Sequence, residues 1–143
     1  MTTHFYTEQE VPKKWFIIDA DGKILGRVAK KAAQIIMGKN KPEYTPNADV
    51  GDFVIVTNAS KVKLSGTKEL NKIYYRHSGY VGGLKKTPAF RQRQKDASQM
   101  IYKAVWGMVK NGSLARKQMK KLRIFNQAEH KHEAQKPMRI TAL

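Results

Sequence analysis

The 143-residue sequence contains no cysteine. That excludes disulfides, thiolate nucleophiles, cysteine-ligated zinc and iron–sulfur clusters. Long apolar runs are missing too. The longest, Ala104 to Val109, is six residues with Gly107 counted, far too short to span a bilayer. Lys13 and Lys14 precede only four apolar residues, Trp15 to Ile18, too few for a signal-peptide core. Carboxylates become scarce after residue 70, where only Asp96, Glu129 and Glu133 remain. Ser65 and Ser78 have no evident base and orienting partner, so no nucleophilic constellation emerges. These gaps point to a soluble, cytoplasmic protein with no catalytic residues, no metal site, no cofactor, no small-molecule substrate and no membrane partner.

What is abundant is positive charge. There are 28 Lys and Arg against 11 Asp and Glu, a net of +17, with a pI near 10.2. Such a balance is the footprint of a nucleic-acid binder, and its self-repulsion is relieved by a polyanion. The charge is uneven. Residues 1–70 carry 11 basic and 8 acidic groups, and residues 71–143 carry 17 and 3. The first half has ordinary globular chemistry and the second carries the field.

One domain is expected, since a chain of this size buries roughly 68–70% of its unfolded surface. Residues 1–14 read as an N-terminal arm, 15–125 as an α/β core, and 126–143 as an extended tail. Trp15 to Ile18 and Phe53 to Val56 are short continuous apolar runs, the mark of buried parallel strands. Between them Leu25, Val28, Ala29, Ala32, Ile35 and Ile36 recur at helical spacing, with Gly38 placed to end the helix. This is a β-α-β unit. Asp19 to Gly22 is a turn. Lys61 to Leu64 alternates as a short exposed strand would, and Ile73 to Tyr75 reads as extended, with one tyrosine inward. Residues 76–95 read as a long basic loop broken by Gly79, Gly82 and Gly83. Asp96 is placed to cap a second helix, with Gln99 as its capping-box partner. Ala97, Met100, Ile101, Ala104, Val105 and Met108 form the apolar stripe of that helix. Ser113 caps a shorter helix with Arg116, Lys117, Lys120 and Lys121 outward, and Leu122 to Phe125 reads as a last strand.

The motifs narrow the chemistry. Gly79-Tyr80-Val81-Gly82-Gly83 matches neither the P-loop nor the dinucleotide pattern. With Arg76, His77, Lys85 and Lys86 around it, it reads as a turn or a loop lying against a nucleic-acid backbone. Tyr74, Tyr75, His77 and Tyr80 interleave with Lys72 and Arg76, the mixture of stackable and basic groups that looped RNA recruits. His130 and His132 are too close for a helical metal pair and read as solvated or RNA-facing. The candidate RNA contacts are therefore Lys72, Arg76, His77, Lys85, Lys86, Arg91, Arg93, Lys110, Arg116, Lys117, Lys120, Lys121, His130 and His132. Arg27, Lys30 and Lys31 lie in the weakly charged half and are expected to matter less. On the residues alone, a free-standing RNA- or DNA-binding regulator and a small phosphate-handling enzyme using the glycine loop both stay open.

The chain resembles the bacterial form of the ribosomal protein thirteen family of the large subunit. The resemblance runs through Trp15-Phe16-Ile17-Ile18-Asp19-Ala20, Leu25-Gly26-Arg27, Glu43-Tyr44-Thr45-Pro46 and Tyr74-Tyr75-Arg76-His77-Ser78-Gly79. It is most specific at Ala104-Val105-Trp106-Gly107-Met108-Val109, and continues through Glu129-His130-Lys131-His132 to Pro137. It implies a three-layer α/β/α fold on a four-stranded, mostly parallel sheet with basic loops and an extended tail. It further implies a structural place on the large subunit, with ribosomal RNA and neighbouring ribosomal proteins as partners, and a part in early assembly and translation. No enzymatic activity is implied. Two positions depart from the family pattern. Val109-Lys110 stands where Leu-Pro is usual, and Ala115 where glycine is usual, so the 109–116 connection is expected to differ locally.

Overall fold

Strand β1, Trp15–Asp19, forms on the first apolar run, where aromatic and β-branched residues favour a pleated, buried surface. Helix α1, Leu25–Met37, follows, and β2, Phe53–Thr57, returns parallel to β1. This computed structural model describes residues 4–140. The first three residues of the expected arm and the last three of the expected tail lie outside the described residues. The helical stripe of α1, from Leu25 to Ile36, is buried as its spacing predicts. Gly38 ends α1 in the left-handed conformation, φ 82°, and its N–H donates to the carbonyls of Gln34 and Ile35. Gly51 then passes against the helix end. A Cβ there would sit 1.7 Å from the Ile36 carbonyl oxygen, so only glycine lets the chain enter β2 along this path.

The main sheet has the order β5-β2-β1-β6, and every pairing is parallel. Strand β5, Leu122–Ile124, lies beside β2. Strand β6, Met138–Ile140, lies beside β1, with Phe16 opposite Met138 and Ile18 opposite Ile140. Helices flank this sheet in the three-layer α/β/α arrangement. Val54, Ile55 and Val56 are each 0% exposed, so the central strand β2 is covered on both faces. The main core joins Ile18, Val54 and Val56 to the α1 stripe. Ala97, Ile101, Val105 and Met119 extend it through the two later helices.

Residues 76–95 are not a loop. Strands β3, Ile73–His77, and β4, Leu84–Pro88, form an antiparallel hairpin, and helix α3, Ala89–Trp106, starts directly after it. The glycines close the hairpin turn. Gly79 and Gly82 take φ of 96° and 71°, and the Ser78 N–H donates to the Gly83 carbonyl. Asp96 does not begin α3 but interrupts it, with extended backbone at φ −162° and ψ 98°. It still caps the second segment. Its Oδ1 accepts the Ser98 N–H at 3.0 Å and the Ser98 hydroxyl at 2.6 Å, so Ser98 rather than Gln99 completes the cap.

Other local expectations are corrected as well. Lys61 to Leu64 is not a strand. A 3₁₀ turn, Ala59–Lys61, precedes a single parallel bridge between Ile24 and Lys63. That bridge has a use, because the Lys63 carbonyl accepts the Leu25 N–H at 2.8 Å and satisfies the start of α1. A one-turn helix α2, Lys68–Asn71, leads into the hairpin. Ser113 is the first residue of helix α4, Ser113–Met119, and makes no capping bond; Gly112 holds the cap position. Strand β5 is not the last strand, because the tail supplies β6. Of the three residues that depart from the family pattern, Val109 and Ala115 are buried in the main core and Lys110 is exposed.

Candidate nucleic-acid interface

Strand alternation sends Tyr74 under the hairpin, 9% exposed, and leaves Tyr75 outward at 57%. Tyr74 packs with Ala89 and Met100 in a small second core. Burial pushes its phenol above the ordinary value of 10.0, with the nearby Glu69 charge adding to the effect. The ammonium groups of Lys72 and Lys103 lie 5.4 Å and 5.2 Å from the Tyr74 ring centre, within cation–π range. Between the hairpin and α3 opens a cleft of about 700 Å³. Arg76 and Lys85, paired across the hairpin, line one wall. Lys95 and Lys103 line the α3 wall. None of these four forms an ion pair among the described residues. The one carboxylate in the lining, Asp96, is already engaged by Ser98.

The structure sorts the sequence candidates. Lys72, Arg76, His77, Lys85, Lys86 and Arg91 are exposed on the hairpin, its approach and the first turn of α3. The His77 ring also has a local task, since its Nδ1 accepts the Gly79 N–H at 2.9 Å. Lys110, Arg116, Lys117 and Lys120 are exposed on α4 and the loop before it. These form a second group beyond the far end of α3. Lys95 and Lys103 join the first group although neither is among the sequence candidates. Lys103 sits on the polar face of α3, and only the packing of the hairpin against that helix reveals its surroundings.

Four candidates are placed differently from expectation. Lys121 is 4% exposed. Its Nζ lies 2.5 Å from Asp49 Oδ1 and donates to the Gly51 carbonyl at 3.0 Å. Burial pulls its pKa below the ordinary 10.5, against the opposing pull of Asp49. Helix α4 ends at Met119, so Lys121 no longer follows the helical phase that would have turned it outward. Arg93 is half-buried. Its guanidinium pairs with Glu69 at 2.7 Å and donates to the Val62 carbonyl, tying the start of α3 to the preceding turns. His130 and His132 are half-buried rather than free. Trp15 stacks on Phe53 with ring centres 4.4 Å apart, and His132 lies on Trp15 at 5.2 Å. Phe125 contacts both histidine rings, at 6.4 Å and 5.8 Å, so the pair anchors the tail against the sheet.

Among the described residues, no three His, Asp or Glu side chains gather in a way that could hold a metal ion. No described helix is long and apolar enough to cross a membrane. A parallel α/β core that presents unpaired cations on a hairpin, a kinked helix and a short helix defines a class of protein built to meet a polyanion. A family model described as Ribosomal protein L13 matches residues 13–131, and the chain belongs to that family. It is 53% identical over 131 residues to the large ribosomal subunit protein uL13 of Coprothermobacter proteolyticus, covering 92% of each chain. Against the uL13 of Dictyoglomus thermophilum it is 49% identical over 140 residues, 98% of this chain and 99% of the other. Against that of Geobacillus kaustophilus it is 50% identical over 136 residues, 95% and 94%. The chain is thus a structural constituent of the bacterial large ribosomal subunit and not an enzyme. The Gly79 to Gly83 segment is a hairpin turn and not the phosphate loop of an enzyme.

Proposed function

We propose that this chain binds large-subunit ribosomal RNA through two basic surfaces, one on the hairpin and α3, the other on α4 and the loop before it. Neighbouring proteins of the subunit are its further partners, and its working place is the ribosome. One observation carries the reading. The half of the chain with 17 cations against 3 carboxylates supplies both surfaces. A phosphate entering the hairpin–α3 cleft meets one lining carboxylate, Asp96, within the screening distance of about 8–10 Å. On the α4 side, Glu8 and Asp49 lie beside Lys117 and offset part of its charge. Arg116 is the strongest single contact on α4, because a guanidinium can hold a phosphate through two parallel bonds.

The test compares charge reversals on exposed helix faces. Arg116→Glu with Lys120→Glu should weaken binding of the full chain to large-subunit RNA by roughly tenfold or more. Arg27→Glu with Lys30→Glu, on the exposed side of α1, should weaken it by less than about threefold, since that half carries its own carboxylates. Filter binding measures both, and circular dichroism checks that both variants fold. A larger loss from the α1 pair would place the RNA on the wrong side of the molecule and overturn the reading.

A further inference from the structure

The cleft between the hairpin and α3 has a shape that the general charge of the protein does not require. Cations spread over a convex surface can each meet a different phosphate of a duplex. Arg76 and Lys85 instead share one cavity of about 700 Å³ with Lys95 and Lys103, from opposite walls. Four like charges around one space repel each other, and the described residues supply no ion-pair partner for any of them. An anion must enter the cleft, not merely touch its rim, to meet both walls. Asp96 offsets at most one of the four charges, and its Oδ1 is held by the Ser98 cap. Tyr74, nine-tenths buried, also lines the cleft, and its hydroxyl has no hydrogen-bond partner among the described residues.

We infer that this cleft is a binding site for an unpaired RNA strand, admitting the phosphates of one or two nucleotides between the hairpin and α3. An A-form duplex displays its phosphates along the outside of a broad rod. It can reach only the rim, whereas a single strand or a nucleotide turned out of a helix can thread between the walls. Gln99, which also lines the cleft, offers an amide to the edge of an unstacked base. This inference rests on the RNA-binding reading above and specifies the form of RNA that one of its two surfaces takes.

The test uses the full chain and a labelled ten-nucleotide oligoribonucleotide, free or annealed to its complement, followed by fluorescence anisotropy. The single strand should bind about tenfold tighter than the duplex. Arg76→Gln with Lys103→Gln should remove that preference and lower the salt slope for the single strand by about 1.4, roughly 0.7 for each phosphate no longer neutralised. Arg27→Gln with Lys30→Gln, exposed on α1 and outside both surfaces, should leave the preference intact. If the first pair impairs folding, Lys85→Gln with Lys95→Gln removes one cation from each wall and must give the same loss. Equal affinity for strand and duplex, or a preference untouched by either cleft pair, overturns the inference. Retained binding to whole large-subunit RNA in that case leaves the broader reading standing. Loss of whole-RNA binding with the strand preference kept would instead sink the broader reading alone. Inorganic pyrophosphate should displace the strand no more than its ionic strength explains. Displacement at low concentration would make the cleft a small-anion site and also overturn the inference.

Discussion

Lys121 and Asp49 stand 72 residues apart in the chain and 2.5 Å apart in space. A lysine near the end of a basic helix reads as one more solvent-facing cation, and nothing local to it names its partner. The pairing depends on Gly51 crossing the end of α1, which brings the 49–52 segment to the start of β5. Breaking a buried ion pair by removing one partner costs about 3–5 kcal/mol, because the other charge is left in a poor solvent. Lys121→Met should therefore destabilise the protein strongly. Only Lys13, 3.9 Å from Asp49, would remain to offset that carboxylate. Replacing both residues, Lys121→Met with Asp49→Leu, should recover at least half of the loss, since two apolar groups leave no orphan charge. Equilibrium urea denaturation measures both. A single change costing less than about 1 kcal/mol would mean that the pair is solvated in solution. The distinction bears on function, because a Lys121 variant that fails to bind RNA would be reporting a failure to fold rather than a missing phosphate partner.

Elements are legible in proportion to their apolar periodicity. Helix α1 and strands β1 and β2 carry uninterrupted stripes or runs, and their bounds follow from them. The first segment of α3, from Ala89 to Lys95, has no such stripe. Ala89 is its only fully buried residue, and Arg93 holds it in place through Glu69 and the Val62 carbonyl. Polar ties of that kind leave no period in a sequence, so the segment reads as loop together with the hairpin's turn and second strand, while Ile73 to Tyr75 alone reads as extended. Strand β6 escapes for another reason. Three residues suffice when a parallel edge strand is recruited by an existing neighbour, and Met138-Arg139-Ile140 has too little length to show alternation. Asp96 is legible as a cap because capping is a local matter between one side chain and one turn. Asp96→Ala should cost about 0.5–2 kcal/mol by freeing the Ser98 N–H, and Asp96→Asn much less. Chemical denaturation reads the difference. Since the change also removes the only carboxylate from the basic cleft, RNA affinity should hold or rise while stability falls. A parallel fall in both would show that the cleft depends on the kink.

At the scale of the whole molecule, the charge asymmetry visible in composition is kept only in part, and its use is divided. Glu69, Asp49 and Glu8 of the first half lie beside Arg93, Lys121 and Lys117 of the second. Lys121 and Arg93 serve the protein's interior, and His130 and His132 anchor the tail against Trp15 and Phe125. The candidates that remain exposed fall into a hairpin group and an α4 group. That division is hidden in one dimension because the hairpin meets Lys95 and Lys103 only through tertiary packing. It has a measurable consequence. Binding that neutralises phosphates releases counterions, so the logarithm of the affinity falls linearly with the logarithm of salt concentration, by about 0.9 per duplex phosphate and 0.7 per single-stranded one. If the two groups together engage about six phosphates, the slope for large-subunit RNA should lie near −4 to −5. Neutralising the α4 group through Arg116→Gln, Lys117→Gln and Lys120→Gln should reduce the slope by about 2 to 3 and leave the hairpin contribution in place. Arg27→Gln with Lys30→Gln should leave it nearly unchanged. A potassium chloride titration with each variant decides the matter. A slope near zero for the unmodified protein would show that its charge of +17 is a solvated surface rather than a phosphate-binding one. A slope that falls equally for the α1 and α4 variants would mean that the RNA wraps the molecule without preferring either face.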